Sequence, residues 1–132
     1  MSIIAFNGLK QSGKSTCANI LSKQKKYVRL SFAGPLKRGV SELFNLTDEC
    51  YNTKRKEIIL PYYNIKPREL LQVIGTDIFR DNLKTFLPNL KLSRNSIWES
   101  LLYDKVIKHR KISKKGIIVD DLRFEDEYKC IK

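Results

Sequence analysis

The sequence predicts an α/β fold in which a central parallel sheet lies between two layers of helices. Two short runs, "IIAF" near the start and "IIVD" near the end, are wholly apolar, as strands buried on both faces are. The segments between them carry apolar residues at helical spacing. Strands that alternate with helices are typical of parallel sheets with right-handed crossovers, so the predicted class is three-layered α/β.

The first part of the chain predicts two strands and two helices. "SIIAFN" is a short apolar run that ends at a turn, which indicates a buried strand. From Lys14 onward, Cys17, Ala18 and Leu21 recur at helical spacing, and "YVRLSF" predicts a second strand. In "GPLKRGVSELFNL", a proline suits the first turn of a helix. The apolar stripe of that helix contains Leu36, Val40, Leu43 and Phe44.

The rest of the chain predicts three helices and one strand. After an irregular stretch, "PRELLQVIGTDIFRDNL" predicts one continuous helix, and "KTFLPNLKLSRN" a loop. "SIWESLLYDKVIKHRK" predicts another helix, "GIIVDDLRF" a buried strand that ends in charge, and "EDEYKCIK" a final helix. The inward residues of the first two of these helices are Leu70, Leu71, Ile74, Ile78, Ile97, Leu101, Leu102 and Val106.

Length and composition predict one globular domain over residues 1–132. The 132 residues are 42% hydrophobic and 30% charged, which is typical of a folded chain. No apolar run is long enough to span a bilayer, and the N-terminus lacks the pattern of a signal peptide. We therefore expect a cytoplasmic protein with no membrane partner.

The net charge of +12 leaves several interpretations open. It suits anionic small molecules or nucleic acid, and an A/T-rich coding sequence that favours lysine explains it equally well. No RNP-like motif, helix-turn-helix signal or zinc pattern supports nucleic acid as a partner. The three cysteines are odd in number and widely spaced, so we expect reduced, buried or half-buried thiols. His109 is the one histidine, so histidine-centred catalysis is not expected.

A glycine-rich turn joins the first strand to the first helix. Its sequence, "GLKQSGKS" from Gly8 to Ser15, fits G-x-x-x-x-G-K-[ST] in the strand–loop–helix context of the phosphate-binding P-loop. Gly8 and Gly13 permit backbone angles and close approach that a Cβ would block, and loop and helix N–H groups hold phosphate oxygens. Lys14 would reach the β- and γ-phosphates, and Ser15 would offer its hydroxyl to Mg²⁺. The predicted ATP-binding residues are Gly8, Lys10, Gln11, Ser12, Gly13, Lys14, Ser15 and Thr16.

Two helix segments suggest a second anion site, because many different enzymes share the P-loop. In "SFAGPLKRGV", Lys37 lies in the first turn of a helix, where it is either a ligand for a second phosphate or a solvated lysine. On the helix that begins at Pro67, Arg68, Gln72 and Gly75 share one face. That face suits a phosphate, a base edge and a close approach, or it is an ordinary polar outer surface.

The predicted strand near the end of the chain runs into acidic residues. In "GIIVDDLRFEDE", an apolar strand that ends in aspartate resembles a Walker B element, whose carboxylate helps to place Mg²⁺. Asp120 and Asp121 would point to opposite faces, so only one of them is expected to reach the site. Arg123 lies just beyond and would stabilise charge on a transferring phosphoryl group.

Together, "GLKQSGKST", "SFAGPLK", "PRELLQVIGTDIFR" and "VDDLRFEDE" resemble the deoxynucleoside monophosphate kinases of bacteriophages and large DNA viruses. The four segments occur in order along nearly the whole chain, and the last three are more specific than the P-loop. The resemblance implies Mg²⁺-dependent transfer of the γ-phosphoryl group of ATP to a deoxynucleoside monophosphate. The implied partners are small-molecule nucleotides, with a homodimer left open.

The resemblance also implies roles for individual residues. Lys14, Asp121 and Arg123 would be catalytic, Ser15 and Asp121 would hold the metal, and Glu127 matches the end of the last segment. Arg94 is the best match for an arginine on a closing lid. The residues expected to face the acceptor nucleotide are Lys37, Arg68, Gln72 and Arg80.

Family members usually continue to another strand and to a loop near the adenine, whereas this chain stops at Lys132, so a fragment or a shortened gene product stays open as an interpretation. Three functional alternatives also stay open. The first is a kinase similar to phosphomevalonate kinases, which share a P-loop, a "GPLK" segment and an Asp-x-Arg strand exit. The others are a basic protein that binds nucleotide or nucleic acid without catalysis, and a scaffold.

Overall fold

The computed structural model describes residues 2–8, 12–24, 26–52 and 54–131, and its fold is α/β with a parallel sheet, as predicted. The strands are β1 (Ile3–Ala5), β2 (Tyr27–Leu30) and β3 (Gly116–Val119). The α-helices are α1 (Lys14–Lys23), α2 (Gly34–Phe44), α3 (Pro67–Gln72), α4 (Leu83–Phe86), α5 (Ile97–Ile112) and α6 (Glu125–Ile131). Two 3₁₀ helices (Asp48–Tyr51 and Arg55–Glu57) and a π-helix (Val73–Arg80) complete the described elements.

The three strands form one sheet in the order β1-β3-β2, and both pairings are parallel. β3 is the central strand, and all four of its residues are buried, which confirms the prediction for "IIVD". The prediction that "IIAF" is also central is wrong for the described sheet, because β1 pairs only with β3 there. Its three residues are correspondingly half-buried.

The chain divides into two compact units. The first contains Met1–Phe32 and Leu92–Lys132, and the second contains Ala33–Lys91. The core of the first unit is formed by buried side chains of the sheet, of α5 and of the segments that leave the strands. These residues are Phe32, Leu102, Val106, Ile117, Val119 and Leu122. No helix within the described ranges is long and apolar enough to cross a membrane.

Helix α5 begins with an N-cap serine that the sequence analysis did not identify. The Ser96 hydroxyl accepts a hydrogen bond from the Glu99 N–H (3.4 Å) and donates one to Glu99 Oε1 (3.1 Å). The first bond satisfies a backbone N–H at the helix start that would otherwise lack a partner, and the second gives the Glu99 carboxylate a donor. Glu99 is 1% exposed, so its carboxylate is part of the interior and is held there by hydrogen bonds.

The helix predicted over "PRELLQVIGTDIFRDNL" is not uniformly α-helical. It is α-helical from Pro67 to Gln72 and π-helical from Val73 to Arg80, and a hydrogen bond from the Asp81 N–H to the Thr76 carbonyl (2.9 Å) has π-helical spacing. The residues Val, Ile, Gly and Thr at 73–76 are weak α-helix formers, which favours the change. The spacing of the predicted stripe is consequently broken: Leu70 is buried, whereas Ile78 is 40% exposed.

Smaller differences concern the surface. Leu43, placed in the apolar stripe of α2, is 76% exposed, whereas Val40 is buried. The segment predicted as a loop after Asn82 contains the short helix α4. Of the three free thiols, Cys17 is exposed rather than buried, and Cys50 and Cys130 are half-buried.

Candidate active site

The carboxyl ends of the three parallel strands lie at one edge of the sheet. Ala5 and Leu30 both align with Val119, so the segments that follow β1, β2 and β3 leave the sheet side by side. A hydrogen bond from the Phe6 N–H to the Val119 carbonyl (2.7 Å) continues the pairing beyond β1. This edge is where open α/β sheets bind ligands. It carries Gly8, the start of α1, Asp120, Asp121 and Arg123.

Contacts join the described residues of the predicted P-loop. The Lys14 ammonium donates a hydrogen bond to the Gly8 carbonyl (2.7 Å), which joins the two ends of the motif. A Cβ at Gly8 would lie 2.7 Å from Ser12 Oγ, so a larger residue here would require the Ser12 side chain to move. Gly13 has φ of 95°, in the left-handed region that favours glycine. Two of the predicted ATP-binding residues, Lys10 and Gln11, lie outside the described residues.

Helix α1 presents its N-terminus directly after this loop. Gly13 provides no side-chain cap, and the first turn contains no acidic residue. The N–H groups of a first helical turn lack intrahelical partners and attract anions. Ser15 and Thr16 are exposed on this turn, in the positions that the motif predicts for phosphate and metal contacts.

The two aspartates after β3 hold different parts of the first unit. Asp121 Oδ1 accepts a hydrogen bond from the Phe32 N–H (3.0 Å), which ties the exit of β3 to the exit of β2. Asp120 forms an ion pair with Arg29 of β2, and Arg29 also donates a hydrogen bond to Asn19 of α1. The two carboxylates therefore have separate partners, in agreement with the expectation that they point in different directions.

Arg123 lies in the turn between β3 and α6. The buried Glu127 carboxylate accepts hydrogen bonds from the backbone N–H groups of Arg123 (2.7 Å) and Phe124 (3.1 Å), and so caps α6. Glu127 thus has a structural role, which its place in the motif does not reveal. The Arg123 residue is exposed.

The donor atoms at the carboxyl edge suit Mg²⁺. The Ser15 hydroxyl and the Asp121 carboxylate are oxygen ligands, which this ion prefers, and Mg²⁺ commonly uses only one or two protein side chains together with substrate phosphates. Among the residues that the structure describes, no three or more His, Cys, Asp or Glu side chains form a metal cluster.

In the second unit, Lys37 is exposed in the first turn of α2. Its carbonyl accepts a hydrogen bond from the Tyr51 hydroxyl (3.1 Å), which also bonds to Ser41 Oγ (2.7 Å). Partial burial raises the pKa of Tyr51, which keeps the phenol protonated and able to donate. The start of α2 is thereby fixed to the 3₁₀ helix Asp48–Tyr51, while the lysine side chain extends into solvent.

Arg68 is held by a partner that the sequence analysis missed. Its guanidinium forms an ion pair with Glu57, and the two side chains are 45% and 40% exposed. Glu57 ends the second 3₁₀ helix, in a stretch predicted only as irregular. No periodic pattern connects the two residues, so no signal in the sequence could have found the pair.

Of the predicted face of Arg68, Gln72 and Gly75, the first two residues are exposed on α3, but Gly75 is not part of that surface. Gln72 is exposed at the end of α3, but Gly75 is buried, and a Cβ there would lie 2.5 Å from Leu36 Cδ2. Gly75 therefore allows close packing against α2, and the predicted approach of a ligand at this residue is wrong. Arg80, at the end of the π-helix, is half-buried.

Arg94, the predicted lid arginine, lies at the start of the second segment of the first unit. Its guanidinium stacks on the Tyr103 ring of α5 at 3.8 Å from the ring centre, and the backbone N–H of Arg94 donates to Ser100 Oγ (3.0 Å). Cys130 of α6 is nearby, and burial raises the pKa of its thiol. In this structure Arg94 is packed against a helix, where cation–π contact stabilises it.

Comparison with known proteins gives one strong similarity. Over 136 aligned residues, the chain is 34% identical to a protein of Acanthamoeba polyphaga mimivirus described as "Putative deoxynucleotide monophosphate kinase". The alignment covers 100% of this chain and 69% of the mimivirus protein. No protein-family model matches the chain, and no solved structure matches it.

Proposed function

The chain belongs to the deoxynucleotide monophosphate kinase family, and on that premise we propose that it transfers the γ-phosphoryl group of ATP to a deoxynucleoside 5′-monophosphate. The fold that this proposal requires is the three-layered P-loop kinase fold, of which the described sheet and helices would form the main part. The observation that carries the proposal is the hydrogen bond from Lys14 to the Gly8 carbonyl, which joins residues near the two ends of the glycine-rich motif before α1.

The first unit supplies the donor side of the reaction. The N–H groups of Gly13 and of the first turn of α1 would hold the ATP phosphates. Lys14 would exchange the Gly8 carbonyl for β- and γ-phosphate oxygens, which are stronger acceptors because they are charged. Mg²⁺, when bound, offsets charge on the phosphoryl oxygens, and Ser15 and Asp121 are the residues that would hold it. Arg123 carries an exposed guanidinium at the same edge and would stabilise the transferring group.

The second unit supplies the acceptor side. Arg68 would bind the monophosphate through two N–H groups, and Lys37 and Arg80 would add positive charge. Gln72 would form hydrogen bonds to the base through its amide. Because a phosphate nucleophile is already ionised, positioning and charge neutralisation suffice and no general base is needed.

The test is a measurement of ADP formation from ATP, with dAMP, dCMP, dGMP, dTMP and phosphomevalonate offered separately. We expect turnover with at least one deoxynucleoside monophosphate and loss of most of it in Lys14→Ala. Lys23→Ala is the matched control, because Lys23 is an exposed lysine in the last turn of the same helix. We expect Lys23→Ala to behave as the wild type.

Three results would contradict the proposal, each in a different way. Turnover with phosphomevalonate alone would favour the alternative kinase. ATP binding without turnover on any acceptor would favour a nucleotide-binding protein or a scaffold. A Lys14→Ala variant with unchanged turnover would show that the P-loop does not take part in the reaction.

A further inference from the structure

We propose that Glu57 is a positioning residue that occupies Arg68 until the phosphate of the acceptor displaces it, an inference that rests on the proposed function. A carboxylate and a phosphate present similar pairs of oxygens to a guanidinium, so one can replace the other at the same N–H groups. Glu57 would thus act as an internal substitute for the acceptor phosphate and would lower the apparent affinity for the acceptor.

The exposure of the pair makes this exchange feasible. The Arg68 and Glu57 side chains are 45% and 40% exposed, so a dissolved anion can reach the guanidinium without unfolding the unit. Exposed ion pairs stabilise proteins only weakly, because water and salt screen them. A doubly charged phosphate is therefore able to displace the single charge of Glu57.

Hydrogen bonds in the turn before Glu57 fix the backbone that carries it. It ends the 3₁₀ helix Arg55–Glu57, and Asn52 precedes this helix. Asn52 Oδ1 accepts from the Arg55 N–H (2.8 Å), and its carbonyl accepts from the Lys56 N–H (3.1 Å). These bonds fix the backbone that carries Glu57, so its position beside Arg68 is a property of the fold.

The same stretch also contacts the backbone of Lys37, another residue that is predicted to face the acceptor. Tyr51, directly before Asn52, donates to the carbonyl of Lys37 in α2. The segment of residues 48–52 and 54–57 therefore contacts the two helices that carry Lys37 and Arg68. We infer that this segment sets how Arg68 is presented to the acceptor, with Glu57 as the residue that yields when the phosphate arrives.

The experiment measures the dissociation constants of the four deoxynucleoside monophosphates by isothermal titration calorimetry, and the KM values for acceptor and ATP. We expect Glu57→Gln to tighten acceptor binding and lower the acceptor KM about two- to five-fold, the range of an exposed ion pair. The KM for ATP should not change, since Glu57 belongs to the second unit and the predicted ATP-binding residues belong to the first.

Glu49→Gln is the matched control. Glu49 lies in the same segment and pairs with Arg55 (3.1 Å), so this variant removes the same charge without affecting Arg68. We expect its acceptor affinity to equal that of the wild type. Adding Glu57→Gln to Arg68→Ala should also change nothing, because the effect acts only through Arg68.

The outcomes separate this inference from the proposed function. If the wild type binds and phosphorylates a monophosphate but Glu57→Gln behaves as Glu49→Gln, the displacement is overturned and the kinase function stands. Weaker acceptor binding in Glu57→Gln overturns it too, since Glu57 would then hold Arg68 in its binding position. A wild type that neither binds nor phosphorylates any of the four monophosphates overturns the proposed function and, with it, the exchange at Arg68.

Discussion

Substituting Gly75 by alanine tests the packing of α2 against the π-helix. The new Cβ would lie 2.5 Å from Leu36 Cδ2, which is closer than non-bonded carbon atoms approach, so Leu36 must move. Overpacking of this kind costs about 1–3 kcal/mol. Replacing a helical glycine by alanine stabilises the folded state by about 0.5–1 kcal/mol. We therefore expect Gly75→Ala to lower the free energy of unfolding by about 0–2.5 kcal/mol.

Gly39→Ala in α2 is the control, and its expected effect has the opposite sign. No described atom lies within 4 Å of a Cβ built at Gly39. Only the helix preference then remains, so we expect stabilisation by about 0.5–1 kcal/mol. The change in the free energy of unfolding of each variant is to be measured by urea unfolding followed by circular dichroism. The slope of the unfolding curve checks for two-state behaviour.

A double-mutant cycle with Leu36→Ala identifies the cause. If the Leu36 methyl group is what the new Cβ meets, Gly75→Ala should cost much less in the Leu36→Ala background, with a coupling energy of about 1 kcal/mol. Strict additivity, or a Gly75→Ala variant as stable as Gly39→Ala, would refute the argument that close helix packing requires glycine at this position.

Two further predictions concern other side chains. Ser96→Ala should lower the free energy of unfolding by about 1–3 kcal/mol, because it removes the cap of α5 and a hydroxyl donor to the buried Glu99 carboxylate. Urea unfolding measures this loss, and a loss under about 0.5 kcal/mol would contradict the capping role. Burial raises the folded pKa of Tyr51 above its ordinary 10.0, so its stabilising contribution is complete below pH 10 and is lost as pH rises through the folded value. The difference in unfolding free energy between the wild type and Tyr51→Phe should therefore shrink above pH 10, and a difference that does not depend on pH would contradict it.

The sequence was sufficient to predict features that depend on local pattern. The apolar runs predicted β1 and β3, and the helical spacing after Lys14 predicted α1. Each of these signals lies within a few residues and has one dominant physical cause, which is burial.

Features that depend on distant partners were not predictable. The ion pair of Arg68 and Glu57 joins a helix to an irregular segment, and nothing in either segment specifies the other. Gly75 was expected to face a ligand because an α-helical period was assumed, whereas the π-helix turns this residue toward Leu36. The sequence motif includes Glu127 but does not indicate its role. The hydrogen bonds that its carboxylate accepts from the backbone N–H groups of Arg123 and Phe124 show that it caps a helix.

The order of strands has a consequence for how the chain is made on the ribosome. β1 and β2 do not pair with each other, because β3 lies between them and is the last of the three to be synthesised. About 85 residues separate the end of β2 from β3, so at 5–20 residues per second the two early strands wait about 4–17 s for their partner. During that time their backbone N–H and C=O groups are unpaired with β3, which makes the nascent chain a substrate for chaperones and prone to aggregation.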